Sequence, residues 1–87
     1  MLKVKYNLDV LKPHQPGSDL VARALMEIEG VRKVRVSVDE LDQKTASLHI
    51  RLEGEDIDID MVSVKLDELN CALHSVDEVV IEKVQED

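Results

Sequence analysis

Asp9, His14, Glu40 and His74 combine carboxylates with imidazoles. Brought together, such a set can surround a divalent cation whose charge cancels the repulsion between the acids. Oxygen donors of this kind favour calcium or magnesium; dominance by the two histidines would favour zinc or nickel, with zinc the lesser expectation. Asp56, Asp58 and Asp60 are spaced like the opening of a calcium loop, but Met61 stands where that loop needs glycine, which excludes an EF-hand. With Ile57 and Ile59 between them, these acids are expected at a helix N-terminus, where exposed N–H groups and the dipole favour negative charge. Cys71 and His74 form a Cys-x-x-His pair, yet residues three apart on a regular strand point to opposite faces and cannot share a metal. Cys71 is expected to be a small buried thiol at the start of a strand. His49, beside Arg51, reads as an exposed imidazole on an open sheet face. No Ser/His/Asp or Cys/His arrangement suggests nucleophilic catalysis, so no catalytic or cofactor-binding residue is assigned and the chain is read as non-enzymatic.

The elements that must position these residues follow from periodicity. Leu2, Val4, Tyr6, Leu8 and Val10 alternate with Lys3, Lys5, Asn7 and Asp9, the period of two that marks a half-buried strand. Two prolines and a glycine between Lys12 and Ser18 end that strand, and Ser18 is a suitable N-cap for a helix over about 18–29. Leu20, Val21, Ala24, Leu25 and Ile28 share one face of that helix, and Gly30 stops it. Val34, Val36 and Val38 mark a second strand; Leu48, Ile50 and Leu52 mark a third that Gly54 closes, with 41–46 as the hairpin between them. The acidic run then leads to a second helix, with Val62, Leu66 and Leu69 inward and its end near Asn70. A fourth strand over 72–84 follows, and residues 85–87 are expected to fray.

The order β-α-β-β-α-β predicts an α+β ferredoxin-like sandwich over residues 1–87. Its antiparallel sheet has order 4-1-3-2 with both helices on one face. Alternating strand directions then bring Asp9, His14, Glu40, Asp42 and His74 to one rim. Arg32 and Lys33 fall beside Asp56 to Asp60 at the other, which looks self-neutralising. On a surface rim, acids and histidines are commonly just solvated, the plainer alternative to a cation site. The fourth strand has no clean phase: either parity sets an ionisable group among apolar neighbours unless a bulge re-aims the side chains. As an edge bearing Val79, Val80 and Ile81, it invites pairing with another chain, although Glu78, Glu82 and Lys83 could guard it.

Composition narrows the partners. Eighty-seven residues, 44% apolar and 34% charged, with Tyr6 as the one aromatic residue, describe a single small domain with an aliphatic core. A net charge of −8 would repel a phosphate backbone, which disfavours nucleic acid. Bases outnumber acids seven to four in residues 1–38, whereas acids outnumber bases eight to two in residues 39–60. Such asymmetry serves either internal complementarity or self-association. One cysteine fits a reducing compartment, and no apolar run reaches the length of a membrane span or forms a signal-peptide block. A cytoplasmic protein without a membrane role is therefore expected.

Leu8-Asp9-Val10-Leu11-Lys12-Pro13-His14-Gln15-Pro16 and His74-Ser75-Val76-Asp77-Glu78-Val79-Val80 resemble the archaeal domain-of-unknown-function family 211. Glu29-Gly30-Val31, Glu40-Leu41-Asp42 and Gly54 to Asp60 extend the resemblance over nearly the whole chain. It implies a ferredoxin-like fold, a homo-oligomer and an archaeal cytoplasmic setting, with no established activity. The family-like positions Asp9, His14, Glu40 and His74 coincide with the mixed rim. Other users of the fold fit less well: there are no aromatic platforms for RNA, no Cys-x-x-Cys loop for copper, and no phosphate-holding arginine in the first loop. The runner-up is a small-molecule sensor resembling ACT domains, from Pro16-Gly17 before a helix, though His14-Gln15 replaces the acidic residue usual there. A purely structural or protein-interaction ring is the third reading.

Overall fold

A computed structural model describes residues 1–85. Its elements are β1 (Leu2–Pro13), α1 (Ser18–Met26), β2 (Val31–Leu41), β3 (Thr45–Glu55), α2 (Ile59–Glu68) and β4 (Ala72–Lys83). All strand pairs are antiparallel and the sheet order is β2-β3-β1-β4, which is the ferredoxin-like arrangement expected.

Register explains the two faces. Val4, Tyr6, Leu8 and Val10 of β1 lie opposite Gly54, Leu52, Ile50 and Leu48 of β3, so one parity of both central strands faces the same way. That side is buried with Val21 and Leu25 of α1 and Val62 and Leu66 of α2 in a single core, placing both helices on one face. Each Leu or Ile withdrawn from water there contributes about 2 kcal/mol. The other parity carries Lys5, Asn7, Asp9, His49, Arg51 and Glu53 on an open face. Helices of 9 and 10 residues span about 15 Å, whereas strands of 11 or 12 span roughly 40 Å. The molecule is accordingly elongated, 52 × 21 × 18 Å, and the sheet outruns its helical cover.

Several local expectations change. Gly17, not Ser18, is the N-cap of α1, with no side-chain capping bond; Ser18 is the first helical residue. The helix stops at Met26 because Glu27 and Ile28 donate to Ala24 and Leu25, three residues back, which tightens the last turn. Leu20 is 52% exposed, so the buried stripe of α1 is the narrower one of Val21 and Leu25, with Ile28 buried just past the helix end. The hairpin tightens to residues 42–44, closed by Asp42 N–H donating to Thr45 O at 2.9 Å. Asn70, at φ +61°, lies just beyond α2 where its end was expected.

Gly54 lies inside β3 instead of closing it. A Cβ there would collide with the carbonyl oxygen of Gly30, and one on Gly30 with that of Glu55. The Glu55 N–H donates to Gly30 O at 2.9 Å across this approach. Gly30, at φ +91°, also needs the left-handed region.

Two register shifts resolve the phase of β4. Asn7 pairs with Glu78 and Leu8 with Val76, which leaves Asp77 unpaired; Asp9 pairs with Ser75 and Val10 with Leu73, which leaves His74 unpaired. These bulges turn both ionisable side chains out to solvent, and Asp77 receives the Ser75 hydroxyl at 2.6 Å.

Candidate functional site at the hairpin end of the sheet

Asp9 projects from the open face, half-buried, with His49 of β3 and Ser75 of β4 as its cross-strand neighbours. The bulged His74 joins Asp9, Val10, Leu11 and Ser47 around a hollow of about 220 Å³. His14 follows β1 and reaches across to the hairpin, with Nε2 3.0 Å from the Asp42 carbonyl oxygen. A carbonyl only accepts, so His14 Nε2 carries the proton in that bond. Glu40 stands exposed on β2 opposite Ser47, with β3 between it and β1.

The four expected ligands therefore divide. Asp9 and His74 share one hollow, His14 is tied to the hairpin backbone, and Glu40 occupies the far edge of the sheet. Among the described residues, no three His, Cys, Asp or Glu side chains are grouped closely enough to hold a metal ion.

Lys12 organises the loop after β1. Its inward parity buries it to 4% exposure, and its ammonium donates to Pro13 O at 2.9 Å, His14 O at 3.3 Å and Pro16 O at 2.9 Å. Three N–H groups thus meet three carbonyls, which is what a buried ammonium requires. Cys71 is buried just ahead of β4, its thiol pushed up by burial and pulled partly back by the Lys12 charge. His74 is exposed, so the Cys-x-x-His spacing forms no common site.

The opposite rim is occupied by structural bonds. Asp58 caps α2 by accepting from Asp60 N–H at 2.9 Å, as expected of that acidic run. Asp56 N–H donates to Leu2 O, while its carboxylate accepts from Leu2 N–H. The buried Tyr6 hydroxyl donates to Ile57 O at 3.3 Å. Burial, then the charges of Asp58 and Asp60, push that phenol above its usual range. Arg32 pairs with Glu55 at 3.5 Å, whereas Lys33 pairs with Glu53 on the open face.

Register supplies two neighbours that the linear pattern did not pair. His49 faces Asp9, and Arg35 of β2 lies directly opposite Arg51 of β3. Strand alternation had placed His49 and Arg51 on the open face, but only the offset between strands says who stands beside whom.

Residues 4–86 match the family model DUF211, described as Uncharacterized ArCR. The chain is also similar to an uncharacterised protein, MJ0319, of Methanocaldococcus jannaschii, at 34% identity over 76 residues covering 87% of this chain and 78% of that protein.

Proposed function

The chain belongs to the uncharacterised DUF211 family, and from that premise we propose that it is a self-assembling subunit in which the outer edge of β4 pairs with the outer edge of β2 in the next copy. The observation that carries this reading is an uncovered apolar flank. Val76, Val79 and Ile81 are 40%, 51% and 53% exposed, although they lie beside the buried Leu8, Tyr6 and Val4 on the helix side of the sheet. Beyond the bulges, residues 78–83 of β4 form a regular edge whose outward backbone groups have no partner strand in the four-stranded sheet. Val38 and Leu41 of β2, the other edge, are likewise exposed.

Charge selects between β4 and β2 as the mate. Asp77, Glu78 and Glu82 make β4 acidic, so its pairing with itself would oppose like charges, whereas β2 offers Arg32, Lys33 and Arg35. In the sheet β2 runs antiparallel to β4, and Arg35, Arg51, Asn7 and Glu78 share one cross-strand row. A copy displaced along the sheet therefore sets Arg35 level with Glu78. Such a head-to-tail contact forms a ring where its rotation closes.

A divalent cation at the seam is the finer part of the reading. Asp9 and His74 line one hollow near β4, and Glu40 stands on the β2 edge toward the same end. The same displacement carries Glu40 of a neighbouring copy toward His74, completing a set that one copy leaves divided; His14 would lie nearby. Calcium or magnesium suits the carboxylates, zinc the imidazole.

Sedimentation velocity and native mass measurement test the assembly. The expected species is larger than the 9.8 kDa monomer; a paired Val79→Glu, Ile81→Glu variant becomes monomeric with unchanged circular dichroism. Glu78→Arg weakens association, and mixing it with Arg35→Glu restores it. A wild-type chain that stays monomeric up to millimolar concentration overturns the reading. Calorimetric titration with calcium, magnesium and zinc tests the cation separately, with heat expected for the assembled protein and lost in Asp9→Ala, Glu40→Ala and His74→Ala.

A further inference from the structure

We propose that Arg35 and Arg51 bind a phosphate-type dianion, as free phosphate or as the head of a small phosphomonoester, on the open face of the sheet. The two arginines are direct cross-strand partners, and neither has a carboxylate within ion-pair distance among the described residues. Like charges placed opposite each other destabilise a sheet, so this arrangement costs stability when nothing lies between them. Lys5 and Lys33 on the same face, by contrast, share Glu53, at 3.7 and 3.9 Å. The acid at the end of the arginine row, Glu78, accepts instead from Asn7 Nδ2 at 2.7 Å.

Arg35, Ser37, Asp39, His49 and Arg51 line a hollow of about 250 Å³. Two guanidinium forks match the oxygens of a tetrahedral anion, and the Ser37 hydroxyl and a His49 ring N–H add donors. Asp39 is the single acid in the wall, and the two guanidiniums outweigh it. The hollow falls below the roughly 300 Å³ at which pockets for drug-sized molecules begin. It accordingly takes the phosphate head and leaves any remainder of the ligand in solvent. Arg35 also lies on the edge assigned above to self-assembly. Arg51, one strand in, does not, and the test turns on it.

The experiment titrates the full chain at low ionic strength with inorganic phosphate and with glycerol 3-phosphate, reading heat and melting temperature, with the assembly state measured in every sample. Wild type should bind saturably and melt higher as either ligand is added. Arg51→Gln should weaken binding at least tenfold while melting, without phosphate, at or above the wild-type temperature. A merely structural arginine predicts a lower melting temperature. Arg51→Lys, which keeps the charge and loses the fork, should also bind more weakly; Lys44→Gln, in the hairpin, should bind as wild type. Equal affinities assign free phosphate, and tighter glycerol 3-phosphate binding assigns a phosphomonoester. Unchanged affinity in Arg51→Gln, reproduction of the effect by chloride at matched ionic strength, or a clear preference for an oligonucleotide over phosphate would overturn the proposal.

Discussion

The two ends of the sheet use the same kinds of polar residue in opposite ways. At the Leu2 end, Asp56, Asp58 and Tyr6 each bond to backbone, Arg32 meets Glu55, and the Gly30 and Gly54 backbones touch without side chains between them. At the hairpin end, Lys12 and His14 bond to loop carbonyls, but Asp9 and His74 border an open hollow and Glu40 stands in solvent. The contrast separates polar groups consumed in holding the fold from groups left available for a ligand or a neighbour. It also locates function, since a group whose bonding capacity is already filled by backbone has little left to offer a partner.

Substitutions sharpen this contrast, in order of expected effect. Gly54→Ala forces a methyl into the Gly30 carbonyl and is expected to cost about 3 kcal/mol, read as a lowered denaturation midpoint. Lys12→Met fills similar volume but leaves three loop carbonyls without their donor, with a loss of about 2 kcal/mol. Tyr6→Phe removes one buried hydroxyl bond and should cost about 1 kcal/mol. Asp9→Ala and His74→Ala should change monomer stability by less than about 0.5 kcal/mol. A large loss in either would break the contrast, because it would make the hairpin end structural as well.

Alkaline pH probes the buried groups with a definite sign. Burial raises the Tyr6 phenol and the Cys71 thiol, so the folded chain keeps protons that the unfolded chain releases. Their contribution is complete below the unfolded values, about 8.5 for the thiol and about 10 for the phenol, and is lost as pH rises through the folded ones. Denaturation midpoints should fall above about pH 8.5, and Tyr6→Phe should flatten the part above about pH 10. Below that window, Cys71 should react with a thiol reagent only as fast as the chain opens.

Alternation made most of the fold legible. The even residues from Val4 to Val10 and from Leu48 to Leu52 are the buried face their period announced. Helix α1 ended early because its last turn tightens, a choice of hydrogen bond that composition does not encode. The alternation was read only as far as Leu11, so the inward Lys12 was missed, and nothing in the linear order says that three carbonyls would converge on its ammonium. The expected rim was legible only in part: Asp9 and His74 do share a hollow, whereas the bond from His14 to Asp42 depends on the path of a loop. His49 opposite Asp9, and Arg35 opposite Arg51, needed the offset between strands, which periodicity leaves free.

The paired irregularities at His74 and Asp77 carry a consequence for how this strand tolerates change in length. Each adds one residue, so together they restore the alternation: Leu73, Val76, Val79 and Ile81 all lie toward the helices despite their uneven spacing. Deleting either residue alone would remove its own bulge and leave Ser75 opposite Asp9 and Glu78 opposite Asn7 on the open face. Deleting both would keep every remaining side chain on its own face. Shortening here is therefore tolerated at either position, singly or together.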